Sequence, residues 1–269
     1  MRQFSPREIN WLKKFAKPYL EREVSQTSQM EKYGEIPVEY ITGWAEFFGR
    51  EFEVNQNVLI PRIETEQIVD EAVKTLTSKT DSHSASWRIG MTNIADIGTG
   101  CGCIGITLYL ELVKLGIKPT IYMSDISERV LGITNKNVSR LTKGQAFLKR
   151  PGLLWLKSDL FNSYPKNLRF DLIIANPPYI PSDRIQKLPE SVKDFEPKLA
   201  LDGGSDGLKL INKLIAQSQS RLKPKGILLL EIDETHKIKD FLLPNNFRAE
   251  IIKDQFGKKR FVKIENENG

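Results

Sequence analysis

From residue 93 onward, short apolar runs alternate with amphipathic stretches, and this alternation limits the fold more than any other feature of the chain. The runs at 94–97, 120–124, 153–157, 172–175, 227–231, 250–253 and 261–264 read as strands. Helical patterns follow the glycine turn to about residue 115 and occupy 128–141, 207–221 and 236–243. Strand–helix alternation predicts a mostly parallel sheet with helices on both faces, because each crossover helix must bury its apolar stripe on the sheet. The run Leu172, Ile173, Ile174, Ala175 has no polar residue, as a strand covered on both faces should. The expected fold is therefore α/β: a doubly wound, mostly parallel, seven-stranded Rossmann-like sheet. Ligands on such sheets sit beyond the carboxyl ends of the strands, where strand order reverses.

The preceding segments have a different character. Residues 1–35 read as a short helical appendage, with Ser5-Pro6 as N-cap and first helical position, Ile9, Leu12 and Phe15 on one face, and Pro18 ending the first helix. Residues 36–92 read as a β-hairpin, a connecting helix and a linker. Tyr40-Ile41, Phe47-Phe48, Phe52 and Val54 suggest strands around Gly43 and Gly49, and 64–76 is helical with Ile68, Ala72, Val73 and Leu76 on one side. Residues 77–86 are polar and aperiodic, so His83 is a loop residue. The sheet domain then occupies 93–269.

At 269 residues, 40% hydrophobic and 28% charged, the composition is that of a globular chain that buries its own core. No apolar run is long enough to span a bilayer and the first residues lack a secretory pattern, so a cytoplasmic location is expected. Cys101 and Cys103 are too close to staple a fold, and one C-x-C pair is a poor zinc signal; no metal is expected. Base is concentrated at Lys13, Lys14, Lys17 and Arg22 and again at Lys253, Lys258, Lys259, Arg260 and Lys263. With a net charge of +6, these stretches read either as solvated surface or as a face for an anionic partner.

The first strand of the sheet domain runs into Asp96-Ile97-Gly98-Thr99-Gly100-Cys101-Gly102. Alternate glycines allow a sharp turn and close approach of backbone to a ligand, and the following helix offers its N-terminal N–H groups there. Asp125 ends the second strand, placed to accept two hydrogen bonds from a ribose diol. Together they read as a nucleoside cofactor site. Gly100, Gly102 and Gly105 also satisfy G-x-G-x-x-G with Asp125 about twenty residues on, so a nicotinamide cofactor is a rival. Against it, Asp96 precedes the first glycine by two, and the resulting D-x-G-x-G-x-G resembles the first motif of class I methyltransferases. Asp159 ends the third strand, as either a ligand contact or a surface helix cap.

The buried run at 172–175 ends in Asn176-Pro177-Pro178-Tyr179. Two prolines cannot continue a central strand and bring no N–H to compete for nearby carbonyls. With the Asn176 side-chain oxygen they make a rigid rim of acceptors. A planar –NH₂ fits this rim, one proton on Asn176 and one on the Pro177 carbonyl. An amide nitrogen is a poor nucleophile because its lone pair is delocalised. Holding both protons toward fixed acceptors favours a pyramidal nitrogen, nearer the transition state of methyl transfer than the ground state. Tyr179 can cover a flat group by stacking.

At this point the chain resembles the peptide chain release factor glutamine methyltransferase family, within the class I S-adenosylmethionine-dependent methyltransferases. The resemblance rests on Pro37-Val38-Glu39-Tyr40-Ile41-Thr42-Gly43, Phe47-Phe48-Gly49, Val58-Leu59-Ile60-Pro61-Arg62 with Glu64-Thr65-Glu66, the glycine turn, Asn176-Pro177-Pro178-Tyr179-Ile180-Pro181, and Glu196-Pro197-Lys198-Leu199-Ala200-Leu201-Asp202-Gly203-Gly204. It covers about residues 36–264. It implies S-adenosyl-L-methionine as cofactor, held by Gly98, Thr99, Gly100, Cys101, Gly102, Asp125, Asp159 near the adenine amino group, Leu160 against the ring, and Asn176. It implies that Asn176, Pro177, Pro178 and Tyr179 bind the substrate and carry the chemistry. The implied substrate is the glutamine of a Gly-Gly-Gln loop in a release factor, methylated by a monomer that binds neither membrane nor, stably, nucleic acid. Three places depart from the pattern: the N-terminal helical segment is short, Ile63 stands where a second proline is usual, and Glu231-Ile232-Asp233-Glu234 replaces a Glu-Ile-Gly run. Arg62 and Glu64 read as loop-fixing.

The alternatives are a ribosomal-protein glutamine methyltransferase, an adenine amino methyltransferase using the same turn on a flipped base, and a catalytically silent nucleoside-binding module. The chain has no room for a sizeable nucleic-acid recognition domain. A nicotinamide oxidoreductase would find no proton donor at Asn176.

Overall fold

The computed structural model describes residues 5–15, 34–78, 92–142 and 152–268. Pro18, Lys17, Arg22 and residues 79–86 of the 77–86 loop, with His83, lie outside the described residues, whereas Thr77 and Ser78, read as the start of that loop, close the helix Ile63–Ser78. A two-stranded hairpin, β1 (Trp44–Phe47) and β2 (Arg50–Glu53), precedes the main sheet. The sheet comprises β3 (Thr92–Ile97), β4 (Pro119–Asp125), β5 (Leu153–Lys157), β6 (Phe170–Ala175), β7 (Leu222–Glu231), β8 (Phe247–Lys253) and β9 (Lys259–Asn266). Its order is β5-β4-β3-β6-β7-β9-β8, with β3 to β7 parallel and β9 antiparallel to both β7 and β8. This is the expected doubly wound, mostly parallel seven-stranded sheet.

The described helices are α1 (Pro6–Phe15), α2 (Val38–Thr42), α3 (Ile63–Ser78), α4 (Cys103–Lys114), α5 (Glu128–Leu141), α6 (Glu190–Lys193) and α7 (Lys209–Ser218). The two faces of the sheet follow from the alternation of side chains along each strand. Ile94, Leu172, Ile174, Ile227 and Leu229 pack with α3, α4 and the hairpin residues Phe47 and Phe52. Ala95, Ile97, Ile173, Ala175, Leu228 and Leu230 pack with Ile211, Leu214 and Ile215 of α7. The hairpin thus shares a core with the sheet. Trp11 Nε1 donates to the Trp44 carbonyl at 3.0 Å, and Lys14 pairs with Glu51 at 2.7 Å, which ties α1 to the hairpin.

Some local expectations are corrected. Tyr40 and Ile41 lie in helix α2, not in a strand: Pro37 opens the turn, the Tyr40 N–H donates to its carbonyl at 3.0 Å, and Gly43 at φ 82° closes it. The hairpin turn is therefore at Phe48-Gly49 alone. The helix read at 207–221 begins only at Lys209, because Gly207 has φ 76°. The stretch 236–243 forms just one 3₁₀ turn, Ile238–Asp240. The Ser5 cap is as expected: Ser5 N–H donates to Glu8 at 2.7 Å and Glu8 N–H to Ser5 Oγ at 3.3 Å. Much of the C-terminal base is paired: Arg260 with Asp254 (3.2 Å), Lys263 with Glu250 (3.1 Å) and Lys258 with Glu234 (3.1 Å).

Helix α4 crosses β3 and β4 at close range through Gly105. A Cβ there would meet Asp96 Oδ2 and Met123 Cγ at 2.8 Å each. Alanine in a helix interior is favoured over glycine by about 1 kcal/mol. Overpacking a buried contact costs about 1–3 kcal/mol. Overpacking should prevail, so Gly105→Ala is expected to lower the urea midpoint of unfolding. A raised midpoint would show that α4 can move off the sheet.

Candidate active site

The site lies where β3 and β6 are neighbours and the chain leaves them in opposite directions across the sheet. β3 registers with β4 through Ile97 and Ser124, and with β6 through Asp96 and Ile174. The continuation of these strands brings Gly98, Asp125 and Asn176 to one edge.

The glycine turn is left-handed at Gly98 (φ 71°), Gly100 (φ 58°) and Gly102 (φ 86°), which side chains rarely tolerate. Open space lies where a Cβ of Gly98 or Gly100 would project. The N–H groups of Gly98 and Thr99 both donate to the Ser124 carbonyl, at 2.8 and 2.9 Å. From behind, α5 holds the loop: Thr134 Oγ1 donates to the Gly100 carbonyl at 2.8 Å, and Asn137 Nδ2 to the Cys101 carbonyl at 2.9 Å. Asn137 also accepts from the Glu53 N–H at 2.7 Å, which joins the hairpin to the turn. Cys101 and Cys103 are buried free thiols.

Asp96, read from sequence only as part of the motif, is the inner support. It is buried and accepts from Thr99 Oγ1 at 2.5 Å and from the Gly105 N–H at 3.0 Å. Thr99 therefore turns its hydroxyl inward and shapes the loop. Burial pushes the Asp96 carboxyl up to about 6, against the two hydrogen bonds that favour the charged form. Asp125 is half-buried; Oδ2 accepts from the Gly100 N–H at 3.2 Å and Oδ1 from the Ser127 N–H at 3.0 Å. Its pKa too is raised by burial. With the Ile126 N–H as a third backbone donor, the carboxylate keeps about one acceptor position for a further donor. Asp159 is half-exposed and pairs with Lys213 of α7 at 2.8 Å, an exposed contact that exchanges readily. Leu160 is buried with φ 49°, a conformation that costs about 1–3 kcal/mol in a non-glycine residue.

Beyond β6, Asn176 Nδ2 lies 3.3 Å from Thr65 Oγ1. Thr65 donates to Glu231 Oε2 at 2.7 Å, and the Tyr179 hydroxyl donates to Glu231 Oε1 at 2.9 Å. Among the described residues, nothing donates to Asn176 Oδ1 or to the Pro177 carbonyl. Burial raises the pKa of both Glu231 and Tyr179, and the negative charge of Glu231 adds to the rise at Tyr179. The strand after the prolines is bridged by the Asp202-Gly203-Gly204 segment: Ile180 N–H donates to the Leu201 carbonyl (3.1 Å) and Gly203 N–H to the Ile180 carbonyl (2.9 Å). A Cβ on Gly203 would fall 2.8 Å from the Pro178 carbonyl, so only glycine allows this approach. Arg62 Nη2 donates to the buried Glu196 at 2.5 Å, joining the Ile-Pro-Arg and Glu-Pro-Lys segments. The sequence reading named Thr65 and Glu231 only within family segments and gave neither a role. The available signal was a carboxylate closing the apolar run of β7.

Asp96 has a stability consequence with a definite sign. Its folded pKa lies above the usual carboxylate value, so the native state binds the proton more tightly and loses stability as it ionises. Wild type should lose stability relative to Asp96→Asn between about pH 4 and pH 6, by on the order of 3 kcal/mol. Denaturant titrations of both proteins across that window check this; parallel curves would refute it.

Residues 63–188 match the methyltransferase small domain. A solved methyltransferase from Pyrococcus furiosus shares the fold at 17% identity and a TM-score of 0.51, over 82% of this chain and 91% of that one. The release factor glutamine methyltransferase of Koribacter versatilis is 36% identical over 82% of this chain and 75% of its own length. That of Leptospira interrogans is 36% identical over 87% of this chain and 76% of its own. With that identity over most of both chains, this protein belongs to the release factor glutamine methyltransferase family.

Proposed function

We propose that the protein transfers a methyl group from S-adenosyl-L-methionine to the side-chain amide nitrogen of the glutamine in the Gly-Gly-Gln loop of a peptide chain release factor. The observation that carries this reading is the pair of acceptors at the end of β6, Asn176 Oδ1 and the Pro177 carbonyl, which no described residue fills. The names of the relatives support glutamine over adenine as the target. The reading has a monomer acting in the cytoplasm on a protein partner. No described helix is long and apolar enough to cross a membrane.

The residues fit the cofactor. Gly98 to Gly102 and Asp125 would hold it, with Asp159, Leu160 and Asn176 bordering it. The space beside Gly98 and Gly100 and the remaining acceptor position of Asp125 support this assignment. When bound, the cofactor supplies a methyl group on a cationic sulfur. Asn176 Oδ1 and the Pro177 carbonyl accept hydrogen bonds from the two N–H groups of the glutamine amide and draw its nitrogen out of plane, which frees the lone pair. As the nitrogen gains positive charge, the same oxygens stabilise it until one proton leaves to solvent. Tyr179, anchored through its hydroxyl, covers the planar amide and limits its rotation.

The test supplies labelled S-adenosylmethionine and, in parallel, a release factor, a ribosomal protein and DNA. Label is expected on the release factor and should vanish when the target Gln becomes Ala; label on DNA alone would overturn the substrate. Asn176→Ala should keep cofactor binding and lose about 10²–10³-fold in turnover, as the loss of one oriented oxyanion-hole donor does elsewhere. Asp125→Ala should weaken cofactor binding at least tenfold by calorimetry, since hydrogen bonds to a charged group contribute about 1.5–3 kcal/mol. Unchanged affinity would remove Asp125 from the site.

A further inference from the structure

The hydrogen bonds behind Asn176 have a direction. Glu231 is 1% exposed, and both of its carboxylate oxygens act as acceptors. Thr65 Oγ1 is 2.7 Å from Oε2 and Tyr179 Oη is 2.9 Å from Oε1, so both hydroxyls point their hydrogens at Glu231. Thr65 has only that one hydrogen. Toward Asn176, 3.3 Å away, its oxygen can only accept. The Asn176 amide must then turn its NH₂ to Thr65, which leaves Oδ1 on the other side.

We infer that Glu231 is a positioning residue for methyl transfer: through Thr65 it fixes which way the Asn176 amide faces, and through Tyr179 it holds the phenol ring in place. This rests on the reading of Asn176 Oδ1 as an acceptor for the glutamine amide. The alternative orientation would present Asn176 NH₂ to the substrate NH₂, donor against donor, and the rim would lose half its acceptors. A free asparagine amide has little preference between its two faces. The carboxylate removes that ambiguity without touching the substrate. The two ends of the relay come from elements far apart in sequence, Thr65 from α3 and Glu231 from the end of β7. The geometry therefore also makes the acceptor depend on the docking of α3 against the sheet.

Glu231→Gln keeps the shape and breaks the order. A glutamine accepts on one side and donates on the other, so one of the two hydroxyls must turn away. If Thr65 turns, its hydrogen points at Asn176 and the amide reverses; if Tyr179 turns, the ring loses its anchor. Thr65→Val removes the acceptor for Asn176, whereas Thr65→Ser keeps it. Initial rates with labelled S-adenosylmethionine and intact release factor read these differences. Glu231→Gln and Thr65→Val should each lose about a hundredfold in kcat, the scale of a small misplacement at a reacting centre. The KM for both substrates and the cofactor affinity by calorimetry should stay within about threefold of wild type, because uniform binding is untouched. Thr65→Ser should recover most of the rate. Should Glu231→Gln fail to fold, the Thr65 pair decides alone. Full kcat in Glu231→Gln or Thr65→Val, a loss confined to KM, or an equal loss in Thr65→Ser would each overturn the inference. Wild type run alongside separates the two readings: unlabelled glutamine there would remove the substrate and this inference with it, whereas labelled wild type beside fully active Glu231→Gln would remove this inference only.

Discussion

Strand β6 is hydrogen-bonded to β3 on one side and β7 on the other, and the site depends on that central position. Because the three strands are parallel, their carboxyl ends emerge together. The chain then has three exits side by side: the glycine turn, Asn-Pro-Pro-Tyr and Glu231. An antiparallel neighbour on either side would have sent one exit to the opposite edge. The reversed strand β9 enters only beyond β7 and pairs in turn with the edge strand β8. The apolar faces of β6 hold it there: Leu172 and Ile174 pack on one layer, Ile173 and Ala175 on the other, all fully buried.

Three carboxylates support this edge from beneath: Asp96, Glu231 and Glu196. Burial raises the pKa of each, so each is costly to keep ionised. A buried charge costs several kcal/mol unless its lone pairs are filled. Asp96 is met by Thr99 and Gly105, Glu231 by Thr65 and Tyr179, and Glu196 by Arg62 at Oε1 alone, its Oε2 being buried without a partner among the described residues. Each therefore ties one loop to another element, and the cost of burial is exchanged for a fixed backbone. A hydrophobic residue at any of the three would leave its hydroxyl, amide or guanidinium partner unpaired and would specify no loop geometry.

The sheet was legible because its strands are apolar runs and its helices are periodic, and both signals are local. Asp125 and the acceptor turn were legible for the same reason: strand end, glycine or proline, and polar side chain are adjacent in sequence. Tyr40-Ile41 was misread because two large apolar residues beside Gly43 fit a strand as well as a short helix, and Pro37, which decides the matter, acts from outside the pattern. The roles of Thr65 and Glu231 were not legible. Thr65 meets Asn176 across 111 residues and Glu231 across 166, so no local period marks the contact. The roles of Arg62 and Glu196 were likewise half-read, each as part of a family segment, without the ion pair that joins them across 134 residues.

That ion pair bears on the departures from the family pattern. Ile63 stands in place of a proline directly after Arg62 and opens α3 with its side chain exposed. A proline there would have fixed φ at the first helical position. The same entry is held here by other means: Arg62 is clamped to Glu196, its carbonyl accepts from the Thr65 N–H at 3.1 Å, and Glu66 accepts from the Phe48 N–H at 2.7 Å. Likewise Asp233, where glycine is usual, accepts both from Arg184 and from Thr235, and so builds its own turn after β7. In both places a conformation usually supplied by the backbone of one residue is supplied by side chains of several. Thr65 and Glu231 lie just outside each altered position and are in contact with each other.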